Sequence, residues 1–151
     1  MVIKTIVMGE CVAKQSARFA NIGGFIKSYQ KSKVTNYANF VKMCFIEQHP
    51  NHCIDDLKGK MLQIHIKAYR MIPLSKPKRF KEQASMGVLR PITKPDTDNI
   101  AKNIKDALNK IAYPDDSQIV KEIIEKFYSY TPRVEIEIKE FEGNDNIIKA
   151  N

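Results

Sequence analysis

Lys94-Pro95-Asp96-Thr97-Asp98-Asn99-Ile100-Ala101-Lys102-Asn103-Ile104-Lys105-Asp106-Ala107-Leu108, followed after a short loop by Tyr113-Pro114-Asp115-Asp116-Ser117-Gln118, is the stretch from which the rest of the chain can be read. Ile100, Ala101, Ile104, Ala107, Leu108 and Ile111 recur at helical spacing, while Asp98, Lys102, Lys105, Asp106 and Asn109 take the opposite side. The spacing predicts an amphipathic helix from Asp98 to about Ile111. An extended Asp96 before a helix start at Asp98 lets both carboxylates turn toward one point, with Lys102 one helical turn further on. Asp115 and Asp116 come from a separate loop. Carboxylates gathered in this way inside a basic chain are what a cation site for phosphate chemistry requires.

Outside this stretch the elements alternate in type. Val2 to Met8 is a β-branched run that predicts a first strand, and Gly9 to Lys33, with Gly23-Gly24, predicts a turn-rich or hairpin region. Val34, Tyr37, Ala38, Val41, Cys44 and Phe45 predict an amphipathic helix that Pro50 ends. Leu62, Ile64, Ile66 and Ala68 alternate with Gln63, His65 and Lys67, the pattern of a half-buried strand from Met61 to Met71. A short basic helix is expected between Ser75 and Met86, with Ser75 as N-cap, Pro77 in its first turn and Gly87 as its stop. Two more strands, Ile119 to Tyr130 and Arg133 to Phe141, join around Thr131-Pro132. The pattern predicts one compact α/β domain over residues 1–142, a mixed sheet packed by helices, and a frayed tail over 143–151.

The 151 residues carry 25 Lys and Arg against 17 Asp and Glu, a formal net charge of +8. A field of that sign attracts polyanions and speeds their encounter. The charge is concentrated: between Lys67 and Lys94 the basic residues are Lys67, Arg70, Lys76, Lys78, Arg79, Lys81, Arg90 and Lys94, opposed by Glu82 alone. Three cysteines, Cys11, Cys44 and Cys53, lack the paired spacing of a zinc site or a disulfide framework. No apolar run is long enough to cross a bilayer and no secretory leader is recognisable, so a cytoplasmic protein without a membrane partner is expected.

Asp96, Asp98 and Asp116, with Asp115 as a further candidate, are oxygen donors of the kind that hold Mg²⁺ beside a substrate phosphate. Lys102 is placed to add a positive charge there. Taken singly, Asp98 also reads as an N-cap, Lys102 as its i,i+4 partner and Asp115-Asp116 as a turn. Their joint occurrence beside the basic segment favours the cation site. A catalytically silent DNA-binding protein and a metal-dependent nucleotide phosphohydrolase are the competing readings. Three carboxylates beside a phosphate burden the first unless a cation neutralises them, and the extended basic segment suits a long polyanion better than a nucleotide.

Lys-Pro-Asp-Thr-Asp-Asn-Ile-x-Lys at 94–102, Asp-Ala-Leu at 106–108 and Asp-Asp-Ser-Gln at 115–118 resemble the signature of RusA-type Holliday-junction resolvases. Looser likenesses are Ala-Lys-Gln-Ser-Ala-Arg at 13–18 and Pro-Arg-Val-Glu-Ile at 132–136. The resemblance implies a homodimeric endodeoxyribonuclease that binds four-way DNA junctions and nicks two opposing strands using Mg²⁺ or Mn²⁺, in recombination and repair. It places the catalytic roles on Asp96, Asp98, Lys102 and Asp116. Lys14, Arg18, Lys76, Lys78, Arg79, Lys81 and Lys94 are the expected DNA contacts.

Overall fold

Val2–Met8 (β1) buries Ile3, Thr5 and Val7 and turns Val2, Lys4, Ile6 and Met8 outward, as a period of two requires of a strand with one face on a core. The computed structural model describes residues 1–14, 18–29 and 32–143. After β1 come β2 (Arg18–Ile22), β3 (Phe25–Tyr29), α1 (Ser32–Gln48), β4 (Leu62–Met71), α2 (Lys78–Ser85), α3 (Thr97–Leu108), β5 (Ile119–Ser129) and β6 (Arg133–Glu140), with short 3₁₀ turns at Ile54–Leu57 and Asp116–Gln118. The architecture is mixed α/β, as the alternation of patterns predicts. Of the expected tail, 144–151 lies outside the described residues.

Four strands form one sheet in the order β1-β6-β4-β5. β6 runs antiparallel to both β1 and β4, and β5 lies parallel to β4 along its whole length. The last two strands, though joined by only Tyr130, Thr131 and Pro132, therefore do not pair; β4 lies between them. β4 is the axis of the sheet, with Leu62, Ile64, Ile66 and Ala68 fully buried on one face. α1 and α3 pack together over that face and deliver Val41, Phe45, Ile100, Ile104 and Leu108 to the same core. Each such side chain contributes about 1.5–3 kcal/mol by leaving water, so α3 is held mainly by its apolar stripe and its polar face is left available.

Among the described residues β2 and β3 pair only with each other, as a separate ribbon whose turn is Gly23-Gly24. Both glycines have positive φ, +59° and +84°, the two-residue geometry that matches the twist of paired strands.

Two helix starts differ from expectation. α2 begins at Lys78, with Pro77 and not Ser75 at its N-cap; a proline has no N–H to give and drives the residue before it out of the helical region. α3 begins one residue early, at Thr97, so that Asp96 is the extended N-cap and Asp98 lies inside the first turn. It also ends at Leu108, and Lys110 turns the chain at φ +62°. The three cysteines are free thiols. Among the described residues no helix is long and apolar enough to cross a membrane.

Candidate active site

The loop before α3 is gripped from two strands. Lys126 of β5 donates from Nζ to the carbonyls of Thr93 (2.8 Å) and Pro95 (3.2 Å), and Arg70 of β4 donates from Nη1 to that of Lys94 (2.8 Å). Arg70 is itself fixed by Glu10, whose carboxylate accepts from its Nε at 2.6 Å and from the Met71 N–H at 2.9 Å. Three consecutive carbonyls are thus tied to the sheet immediately before Asp96. The Lys94–Pro95 peptide is cis.

Asp96 caps α3 through its carbonyl, which accepts the Ile100 N–H at 3.1 Å, while its side chain makes no capping bond and is exposed. Asp98 is also exposed. Both carboxylates therefore sit at the positive end of the α3 dipole, which favours negative charge there, with their oxygens uncommitted to the helix. Lys102 is exposed one turn later and forms no ion pair with Asp98, so the helix-surface explanation of that pair does not hold.

Beside Asp96 opens a cleft of about 530 Å³ walled by Lys14, Lys33, Arg70 and Lys94, with Asn99 at its edge. Of these four cations, Lys14 is paired with Asp106 and Arg70 with Glu10. The wall is stitched to α3 by residues on one helical face: the Asn99 carbonyl accepts the Lys14 N–H at 3.0 Å, the Asn103 amide donates to the Val12 carbonyl at 2.6 Å, and Asp106 pairs with the Lys14 ammonium. Asn103 is 3% exposed, a polar group set within the apolar stripe. Sequence reasoning passed over it, although an asparagine among isoleucines at core spacing signals a buried partner. Lys33 and Arg70 were likewise not singled out as site residues. The Asp-Ala-Leu motif divides accordingly, Asp106 to the wall and Ala107 and Leu108 to the core.

Asp-Asp-Ser-Gln at 115–118 builds a turn. The Asp115 carboxylate accepts the Ser117 N–H at 2.8 Å, and Ser117, through its side chain first and its backbone N–H second, holds the Asp115 carboxyl below its usual range. Gln118 donates from Nε2 to the carbonyls of Leu57 (2.8 Å) and Lys60 (2.9 Å). Asp116 is left exposed. Beneath it Tyr113 is fully buried and donates its hydroxyl to the Lys105 carbonyl; burial pushes its phenol well above the usual range, and the nearby Asp116 carboxylate adds to the shift.

α3 runs against the direction of β5. Lys126 meets the loop at the N-terminal end of α3, whereas Lys105, in its last turn, pairs with Glu122. The 12 residues of α3 span about 18 Å, and the strand from Lys126 back to Ile119 covers roughly 23 Å. Asp116 precedes Ile119. Asp96 and Asp98 accordingly lie at one end of α3 and Asp116 at the other, too far apart to share an ion whose oxygen ligands stand at about 2.0–2.1 Å. Consistent with this, among the described residues no three His, Cys, Asp or Glu side chains are grouped to hold a metal. The chain by itself does not bring the three carboxylates together. The donor chemistry at Asp96 and Asp98 nonetheless suits a hard divalent cation, which takes one or two carboxylates and completes its shell with water and substrate phosphate.

Of the expected DNA contacts, Lys14 and Lys94 line the cleft. Lys76, Lys78, Arg79 and Lys81 lie away from it, on and just before α2, which leans on the β5 edge through Phe80 against Tyr128. Arg18 opens β2, but its side chain is outside the described residues, as are 15–17 of the 13–18 motif.

Two exposed carboxylates at the start of α3, one of them lining a cationic cleft, suit the cleavage of a phosphodiester. Over residues 9–139 the chain matches the family described as Endodeoxyribonuclease RusA. It belongs to that family of Holliday-junction endonucleases and is an endodeoxyribonuclease. It is also 39% identical over 140 residues to a protein of Bacillus subtilis (strain 168) named "Uncharacterized protein YqaN", an alignment covering 91% of this chain and 96% of that one.

Proposed function

We propose that the protein is a Mg²⁺-dependent, Mn²⁺-tolerant junction endonuclease of the cytoplasm that acts in DNA recombination and repair, with residues 1–142 as its single domain. It works as a two-fold dimer that nicks two opposing strands of a four-way junction. The observation that carries this reading is the exposed Asp96 carboxylate, which lines a cleft walled by Lys14, Lys33, Arg70 and Lys94, with Asp98 exposed two residues on in the first turn of α3. A strand phosphate entering the cleft meets Lys33 and Lys94 beside Lys14 and Arg70, which already share their charge with Asp106 and Glu10, so binding draws on counterion release chiefly through the first two. Arg70, locked by Glu10, orients that phosphate, and the backbone ties from Arg70 and Lys126 fix Asp96 beside it. Mg²⁺ held by Asp96 and Asp98 would polarise the phosphate and lower the pKa of a bound water. Lys102 places a fixed positive charge where negative charge develops on the reacting phosphate.

Asp116 enters the same site from a second copy. Its distance from Asp96 along α3 argues against a complete site within one chain. A C2 pair with its two α3 helices antiparallel sets Asp116 of the partner subunit near the first turn of α3, twice over by symmetry. The dimer then carries two sites, matching two equivalent strands of a junction.

Asn substitutions test both parts. Asp96→Asn, Asp98→Asn and Asp116→Asn are each expected to lower Mg²⁺-dependent nicking at least 10²-fold with junction binding retained. Chains carrying Asp96→Asn and chains carrying Asp116→Asn, refolded together, should recover roughly a quarter of the parent's sites, since half of the dimers are mixed and each regains one intact site. Near-parent nicking by an Asn variant removes that residue from the site. No recovery on mixing, with mixed dimers shown to form, refutes the shared arrangement.

A further inference from the structure

The ribbon β2–β3 has an apolar surface that the fold does not use. Phe19, Phe25 and Ile26 are 72%, 74% and 76% exposed, far beyond ordinary surface scatter in so short an element. Strand alternation places Phe19 and Ile26 on one face, since Asn21 pairs across to Ile26 and lies two residues from Phe19, and it places Phe25 on the other. A two-stranded ribbon ordinarily needs an apolar face packed against something to persist; this one shows rings on both sides and adds no strand to the main sheet.

Its position is limited by the chain at both ends. Lys14 and Lys33 line the basic cleft, and four peptide steps separate Lys14 from Arg18 and Tyr29 from Lys33. At no more than about 3.6 Å per step, the base of the ribbon lies within roughly 14 Å of the cleft wall. Each strand of five residues reaches about 17 Å from that base, and the Gly23-Gly24 turn sets Phe25 at the tip. Two-stranded ribbons of this width enter a major groove about 12 Å wide and 8.5 Å deep.

We infer that the β2–β3 ribbon is a wedge for the branch point, with Phe25 and Phe19 stacking on bases that the meeting arms leave uncovered. The inference rests on the junction-endonuclease reading and names the part of the substrate that the ribbon takes. Charge selects the occupant: aromatic rings rooted among Lys14, Lys33, Arg70 and Lys94 suit a polyanion with exposed flat faces. Base–aromatic stacking is sequence-tolerant, and apolar side chains that enter between base steps part them. A linear duplex offers no such opening, so the ribbon contributes preference for branches where the cleft contributes only phosphate binding.

The test uses the intact protein and a four-way junction with 2-aminopurine either at the branch point or well inside one arm. The parent is expected to raise branch-point fluorescence at least twofold and leave the arm signal unchanged. Phe19→Ala with Phe25→Ala, checked for an unchanged circular-dichroism spectrum and melting curve, should abolish the rise and weaken junction binding about tenfold for each ring lost. Binding to linear duplex should stay the same. The double variant should also regain parent-like nicking on a junction whose branch point is already unpaired by mismatches, a rescue that a merely structural ribbon would not show. A double variant with the parent's fluorescence change and junction preference overturns the wedge while leaving the endonuclease reading intact. Conversion of a parent dimer to monomer by the same substitutions also overturns it, assigning the ribbon to an interface between copies. A parent that neither prefers nor nicks four-way junctions overturns both.

Discussion

Lys126→Met isolates the tie between the sheet and the loop that presents Asp96. Methionine keeps the length and apolar stem of the lysine but loses the ammonium that reaches the Thr93 and Pro95 carbonyls. A hydrogen bond from a charged donor contributes about 1.5–3 kcal/mol net. Thr93 is exposed and Pro95 half-buried, so water recovers part of the loss, while Arg70 still holds the Lys94 carbonyl between them. A destabilisation of about 2 kcal/mol follows, read as a lower midpoint with unchanged slope in urea unfolding, or as roughly 4–8 °C in melting temperature for a chain of this size. The larger effect falls on the reaction. A freed loop lets Asp96 drift, and a misplacement of about 1 Å can lower a rate roughly 10²-fold. Single-turnover Mg²⁺-dependent nicking at saturating protein measures this, with junction affinity close to the parent's. A variant with the parent's urea midpoint and the parent's nicking rate would show that the clamp neither stabilises the loop nor positions the carboxylate.

Lys102→Ala should reduce single-turnover nicking by roughly 10²-fold, the scale for loss of one preorganised donor, and leave unfolding within about 0.5 kcal/mol because the side chain is exposed; parent-like rates would return Lys102 to the helix surface. Alanine at Lys76, Lys78, Arg79 and Lys81 together should flatten the dependence of junction affinity on salt by up to about 3.6 in the log–log slope if all four meet phosphates. An unchanged slope would place α2 away from DNA, the cleft alone carrying the phosphate contacts.

Periodicity exposed most of the secondary structure because most of it is half-buried. The alternation in β4 and the stripe in α3 are records of one face lying on the core. What periodicity does not record is which strand lies beside which. β5 starts beside the C-terminal end of α3 and runs back along it, and for that reason Asp116 stands a helix length from Asp96. A local steric rule accounts for one shifted helix start: Pro77, at the N-cap of α2, moves that boundary by what it forbids. Asn103 and Lys126 are hard to read because their partners are backbone carbonyls, which leave no mark on composition. The basic segment was plain as charge, but only folding separates Lys94, at the cleft, from the lysines on α2.

β6 follows every other strand along the chain, yet it lies inside the sheet between β1 and β4. Until residues 133–140 emerge, β1 has no partner and one edge of β4 is open, so the core under α1 and α3 cannot close around Val134, Ile136 and Ile138. Pairing Val2 with Lys139 also closes a loop of nearly the whole chain, which slows assembly relative to local contacts. A DNA-cutting enzyme built this way has no closed core until β6 has been made, and a product cut short before Arg133 is a substrate for proteolysis before it can become a nuclease.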